Sequence, residues 1–196
     1  YWGTVYADPS VETLLPVLHW FVEAPAKAQT DVGTRASLFF HGQFYDNFFV
    51  RHRGLWTKSW PKRKFKFDFN PQHHFRYAPD QPRVEEFNLQ SHYWEPQSTS
   101  YMRENLAYHF FNEAGVPSPL TFHVHLRQNG QFFGLYSFVE QVDETFLKRN
   151  GMDPAAPMYK ALQEGMQDTY YRKVNQKAEP WNDFHAFIDG LSGLGP

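Results

Sequence analysis

Three lysines, Lys62, Lys64 and Lys66, fall at every second position of one short stretch, and each could bring positive charge to a phosphate. Phe65, Phe67 and Phe69 alternate with Lys64, Lys66 and Asp68, the period-2 pattern of a half-buried strand, so the lysines share its outward face. Parity does not choose among them, and a solvated basic face that discourages edge pairing would have the same sequence. Upstream, Arg51, Arg53 and Gly54 could cradle an anion or simply make a turn. Glu104 could hold one of the lysines, or be the acidic residue favoured near a helix N-terminus. Arg103 could bind phosphate through its fork or lock a carboxylate in a structural salt bridge. Glu140 closes a strand, and Asp143 could meet a ligand or cap the following helix. His123 with His125, and His73 with His74, lack metal-ligand spacing, so no metal site is expected. A Gly-x-Ser-x-Gly nucleophile elbow is absent.

These residues need elements to position them. Residues 14–22 could begin as a strand and turn helical through residues 23–29. Residues 35–40 and 44–53 read as a hairpin around His41-Gly42-Gln43, and the lysine strand follows the loop that ends at Pro61. Residues 70–98 are rich in Pro, His, Gln and Asn and read as irregular, with one short strand near Val84–Leu89. Ser98 or Thr99 could cap a helix in which Met102, Leu106, Ala107, Phe110 and Phe111 recur at helical spacing until Gly115-Val-Pro117. Asn129-Gly130 between two alternating runs, 120–127 and 131–140, predicts a second hairpin, because both residues tolerate positive φ. A short helix to Arg149, a strand at 158–161 and a helix near 181–190 complete the chain.

Aromatics make up 19% of the 196 residues, so the core is expected to be built from rings, with strands below and helices against them. A net charge of −2 supplies no global field for nucleic acid or an anionic membrane. The absence of cysteine excludes disulfides, thiolate zinc sites and cysteine nucleophiles. No apolar run approaches the roughly 20 residues of a spanning helix, so membrane insertion is not expected.

In order, the chain runs hairpin, basic loop, lysine strand, glutamate helix, second hairpin and exit glutamate, the order of a protein-kinase small lobe. Its local motifs resemble the CotH (spore coat protein H-like) kinase family. Arg51-His-Arg-Gly54 is similar to that family's Arg-x-Arg-Gly turn, and residues 61–67 to its Pro-Lys-Lys strand. Arg103-Glu-Asn-Leu-Ala107 running into Gly115-Val-Pro117 resembles its helix. Residues 129–143 match its Asn-Gly-x-x-x-Gly-x-Tyr-x-x-x-Glu-x-x-Asp block, and Met158-Tyr-Lys160 its later Leu-Tyr-Lys.

The resemblance implies an α+β fold, an antiparallel sheet with packed helices like an atypical kinase small lobe plus the start of the second lobe. It implies ATP with Mg or Mn, a protein acceptor phosphorylated on serine, and a secreted, cell-surface or spore-coat location. Arg53, Gly54, Lys62, Lys64, Arg103, Glu104, Glu140 and Asp143 become the expected nucleotide contacts, with Lys62 favoured by the family pattern and Lys64 second. Glu140 and Asp143 would stand where a hinge meets adenine and ribose. The family's catalytic aspartate and asparagine and its metal-binding aspartate are expected beyond Pro196, so residues 1–190 read as one domain truncated on its C-terminal side, with 191–196 a tail or linker. Alone, the chain is expected to be inactive and to lack the other half of its own domain as a partner. The alternative is a non-catalytic scaffold whose loop aromatics Trp56, Trp60, Tyr93 and Trp94 contact protein or glycan.

Overall fold

The computed structural model describes residues 10–93, 100–165 and 167–193, with Trp56 and Ser192 described by backbone only. Ser98, Thr99 and Trp94 lie outside the described residues. The chain divides into two units, Tyr1–Gln141 and Val142–Pro196.

The first unit contains β1 (Val17–Val22), a helical turn α1 (Pro25–Ala28), β2 (Thr34–Phe40), β3 (Gln43–Arg53), β4 (Lys64–Asp68), β5 (Glu86–Gln90), α2 (Arg103–Glu113), β6 (Thr121–Gln128) and β7 (Gln131–Glu140). The seven strands close into a barrel in the order β1-β2-β3-β4-β5-β7-β6. All neighbours are antiparallel except β1 and β6, which run parallel.

This overturns the expectation of an α+β, kinase-like lobe with packed helices: the described fold is mostly β, and its four helices are short. Closure has identifiable causes. β1 pairs with β2 on one side and β6 on the other, leaving neither strand a free edge. Register shifts between Ala36 and Leu38 and between Leu126 and Arg127 are bulges that bend and coil the sheet. The Asn129-Gly130 turn has both residues at positive φ, as its sequence predicted. Asn129 does more than turn the chain: its Oδ1 accepts from Val22 N (2.8 Å) and its Nδ2 donates to Val22 O (2.9 Å), extending the seam between β1 and β6.

Inside, Trp20, Phe48, Phe65, Phe67, Phe75 and Phe87 are fully buried, and burial of each such side chain contributes about 1.5–3 kcal/mol. Phe75 comes from the segment read as irregular. It packs against Phe87 (4.7 Å between ring centroids), Tyr45 (5.1 Å) and Phe69 (5.2 Å), and forms a bridge with Val84. Helix α2 does not pack as expected. Asn105 is the buried residue of α2, whereas Leu106, Phe110 and Phe111 are exposed.

The second unit contains α3 (Glu144–Arg149), β8 (Tyr159–Ala161), β9 (Tyr171–Lys173) and α4 (Asn182–Ser192). β8 and β9 form a two-stranded antiparallel sheet. Phe184 of α4 meets Tyr159 (4.9 Å) and Tyr171 (4.6 Å), while Phe146, Leu147 and Met158 form a small core. Among the described residues, no helix is long and apolar enough to cross a membrane.

Candidate functional site

The outward face of β3, β4 and β5 gathers most of the charged residues singled out above. Arg53 lies directly opposite Lys64, and Arg51 opposite Lys66, in the β3–β4 ladder. The structure separates the three lysines that parity left equivalent. Lys66 pairs with Glu86 on β5 in a half-buried ion pair. Lys62, just before β4, donates to Leu135 O (2.5 Å) and lies 4.7 Å from the Tyr136 ring centroid and 5.7 Å from that of Tyr101. Lys64 stands 5.0 Å over the Trp60 ring.

Electrostatics links Lys64 to α2. Burial pushes the Lys64 ammonium below its usual range; the Glu104 carboxylate opposes that shift and Arg53 adds to it. Burial likewise lowers Arg53, with Glu104 and Glu86 opposing. Tyr108, one turn after Glu104, is raised by its own burial and by that carboxylate. Lys62 is lowered by burial, with no carboxylate offsetting it. Glu104 itself accepts from Gln90 Nε2 on β5 (2.9 Å), which ties the start of α2 to the barrel.

The other expected contacts are arranged differently. Gly54 has φ +117°, and a Cβ there would fall 1.9 Å from Thr57 Oγ1, so a glycine is required where β3 leaves the barrel. Arg103 is exposed at the first position of α2. Glu140 is buried at the end of β7, and its Oε2 accepts from Leu120 N (3.0 Å). Asp143 belongs to the second unit, where its Oδ1 accepts from Thr145 N (2.8 Å) and Phe146 N (3.1 Å), capping α3. Arg53, Lys64 and Glu104 are therefore one electrostatic cluster, with Lys62 held separately through Leu135 and Tyr136.

The family profile described as CotH kinase protein matches residues 50–193, well over half of the chain. The chain belongs to the CotH family. It is also similar to the inner spore coat protein H of Bacillus subtilis (strain 168), at 29% identity over 110 residues. That alignment covers 56% of this CotH chain and 28% of the relative, so the chain spans well under half of that protein's length.

The donor set of this CotH chain suits a polyanion. Arg53 and Lys64 would face phosphates on a shared surface, with a lysine lacking carboxylate compensation nearby in sequence at Lys62. Among the described residues, no group of three or more His, Asp or Glu side chains is placed to hold a metal ion. His123 is occupied in packing: Asn105 Nδ2 donates to its Nδ1 (3.2 Å), and its Nε2 donates to Tyr101 O (2.8 Å).

Several residues near this surface were not among the site candidates that the sequence offered. Gln90, His92, Asn105, Thr121 and Ser137 form the polar seam beneath α2. Thr121 and Ser137 sit on the paired strands β6 and β7, where a small hydroxyl can serve a sheet face or a helix seat equally well.

Proposed function

We propose that this CotH chain contributes the nucleotide-holding part of a protein kinase that phosphorylates serine in a coat or cell-surface protein. The observation that carries the reading is the placement of Lys64 directly opposite Arg53 on the outward face, with Glu104 of α2 tied to β5 through Gln90 and its carboxylate opposing the effect of burial on both cations. ATP would supply the transferable phosphoryl group. Lys64 and Arg53 would neutralise its phosphates, and Glu104 would keep Lys64 charged and oriented despite its burial. Lys62, extended along Gly134 and Tyr136, would serve as a secondary cation at the edge of the site. Glu140 would hold the end of β7 through Leu120 and leave recognition of the base to the backbone. The resemblance assigns transfer itself, and any Mg or Mn, to groups further along the family's sequence. The name of the Bacillus subtilis relative supports a coat-associated setting.

A second reading, a non-catalytic coat scaffold, draws support from the exposed apolar positions of α2, including Phe110 and Phe111. Titrating the whole protein with a fluorescent ATP analogue, mant-ATP, in the presence of Mg²⁺ separates the two. The kinase reading expects saturable binding that Lys64→Ala weakens by about tenfold or more, the effect of losing a charge-assisted bond. Absence of binding, or equal binding by the variant, favours the scaffold.

A further inference from the structure

We infer that Asn105 is the positioning residue that aims Glu104 at Lys64 and Arg53, an inference that rests on the nucleotide reading of that cluster. A helix beside a barrel is ordinarily oriented by burying an apolar stripe. In α2 that means is missing: Leu106, Phe110 and Phe111 are exposed, and Asn105 is the buried side chain. What seats the helix is a set of directional polar bonds.

Asn105 is the hub of that set. Its Oδ1 accepts from Ser137 Oγ of β7 (2.9 Å) and lies 3.2 Å from Thr121 Oγ1 of β6, whose single proton is directed more closely to Phe138 O (2.8 Å). Its Nδ2 donates to His123 Nδ1 of β6 (3.2 Å), which places the His123 proton on Nε2, where it donates to Tyr101 O (2.8 Å). Ser137, having given its proton to Asn105, accepts from His92 Nε2 (2.7 Å). One side chain thus joins two strands, the segment after β5 and the residues entering α2.

The geometry carries this fixation to the neighbouring position. Successive residues of a helix are about 100° apart, so pinning Asn105 against β6 and β7 determines the direction of Glu104 toward β5 and β4. Gln90 Nε2 then donates to Glu104 Oε1 (2.9 Å). Buried, mutually satisfied networks of this kind select a single arrangement more strictly than apolar contact does. Without Asn105, α2 could rotate or slide while remaining helical, and Glu104 would no longer act on Lys64.

The test is a double-mutant cycle on the whole protein, read by mant-ATP affinity with Mg²⁺ and accompanied by thermal melts. Wild type, Glu104→Gln, Asn105→Ala and the double variant are compared, with Ser137→Ala as a milder cut in the same network should Asn105→Ala fail to fold. Asn105→Ala is expected to weaken binding by about threefold or more when Glu104 is present and to add nothing in the Glu104→Gln background. Ser137→Ala is expected to act in the same direction. Equal losses in both backgrounds, or a lowered melting temperature with unchanged affinity, would show a merely structural role and overturn the inference. If wild type binds but Glu104→Gln alone reduces affinity, the inference falls and the nucleotide reading stands. If wild type does not bind mant-ATP, both fall.

Discussion

Arg53 and Lys64 are cross-strand partners on β3 and β4, two cations directly opposite one another on the outward face of the barrel. Like charges in that position destabilise a sheet unless something offsets them. Here Glu104 and Glu86 act on Arg53, and Glu104 acts on Lys64, while burial disfavours both cations. The pairing therefore leaves two partly desolvated cations side by side, offset by carboxylates from α2 and β5.

The first prediction separates Lys64 from Lys66. Lys64→Met relieves the opposition to Arg53 and is expected to leave unliganded stability unchanged or raised by up to about 1 kcal/mol. Its mant-ATP affinity should fall. Lys66→Met instead strands Glu86, its half-buried partner, and should lower the urea midpoint while leaving affinity intact. The reverse pattern, with Lys66→Met costing affinity, would move the phosphate contact from Lys64 to Lys66.

Lys62 gives a pH signature. Burial lowers its folded-state value below the ordinary 10.5, so above that lowered value the unfolded chain holds a proton that the folded chain has released. Stability attributable to Lys62 therefore rises as pH climbs from the folded value toward 10.5. Lys62→Met should be more stable than wild type at neutral pH, with the gap narrowing as pH rises through that window. Urea midpoints measured across the window check this, and a gap that stays constant would contradict it.

Gly54 should resist substitution for two separable reasons. Its φ of +117° is costly for any side chain, about 1–3 kcal/mol, and a Cβ would collide with Thr57 Oγ1. Gly54→Ala is expected to lower stability by at least that amount. Adding Thr57→Ala removes Oγ1 but not the backbone conformation, so the double variant should recover only part of the loss. Full recovery in thermal melts would mean that the collision alone was responsible.

Phe75 tests whether residues 70–84 belong to the core. It is fully buried among Phe40, Phe69 and Phe87, so Phe75→Ala should cost about 3–5 kcal/mol, as for other buried rings. A loss below about 1 kcal/mol, the range of surface changes, would show that the segment is peripheral.

Much of the barrel wall was legible before its closure was. The alternation through Phe65, Phe67 and Phe69 identified both the strand and its buried face, and Asn129-Gly130 identified the β6–β7 turn. The spacing of Leu106 and Phe110 correctly indicated a helix but wrongly implied a packed one, because periodicity reports conformation and amphipathic potential, not which face meets the protein. The second unit's β9 escaped notice because three residues, Tyr171–Lys173, are too few to show a period.

By itself, the sequence determined the CotH resemblance, the strand and helix order of the first unit, and the shared face of Lys64 and Lys66, but not the separate position of Lys62. These follow from local rules, since alternation, turn chemistry and motif spacing act over a few residues. Tertiary structure decided the rest: that bulges and the parallel pairing of β1 with β6 close the sheet, that Lys66 is held by Glu86, and that Lys64 shares Glu104 with Arg53. Those outcomes depend on contacts between residues far apart in the chain, where charge, burial and hydrogen-bond direction are set together and no local pattern records the partner.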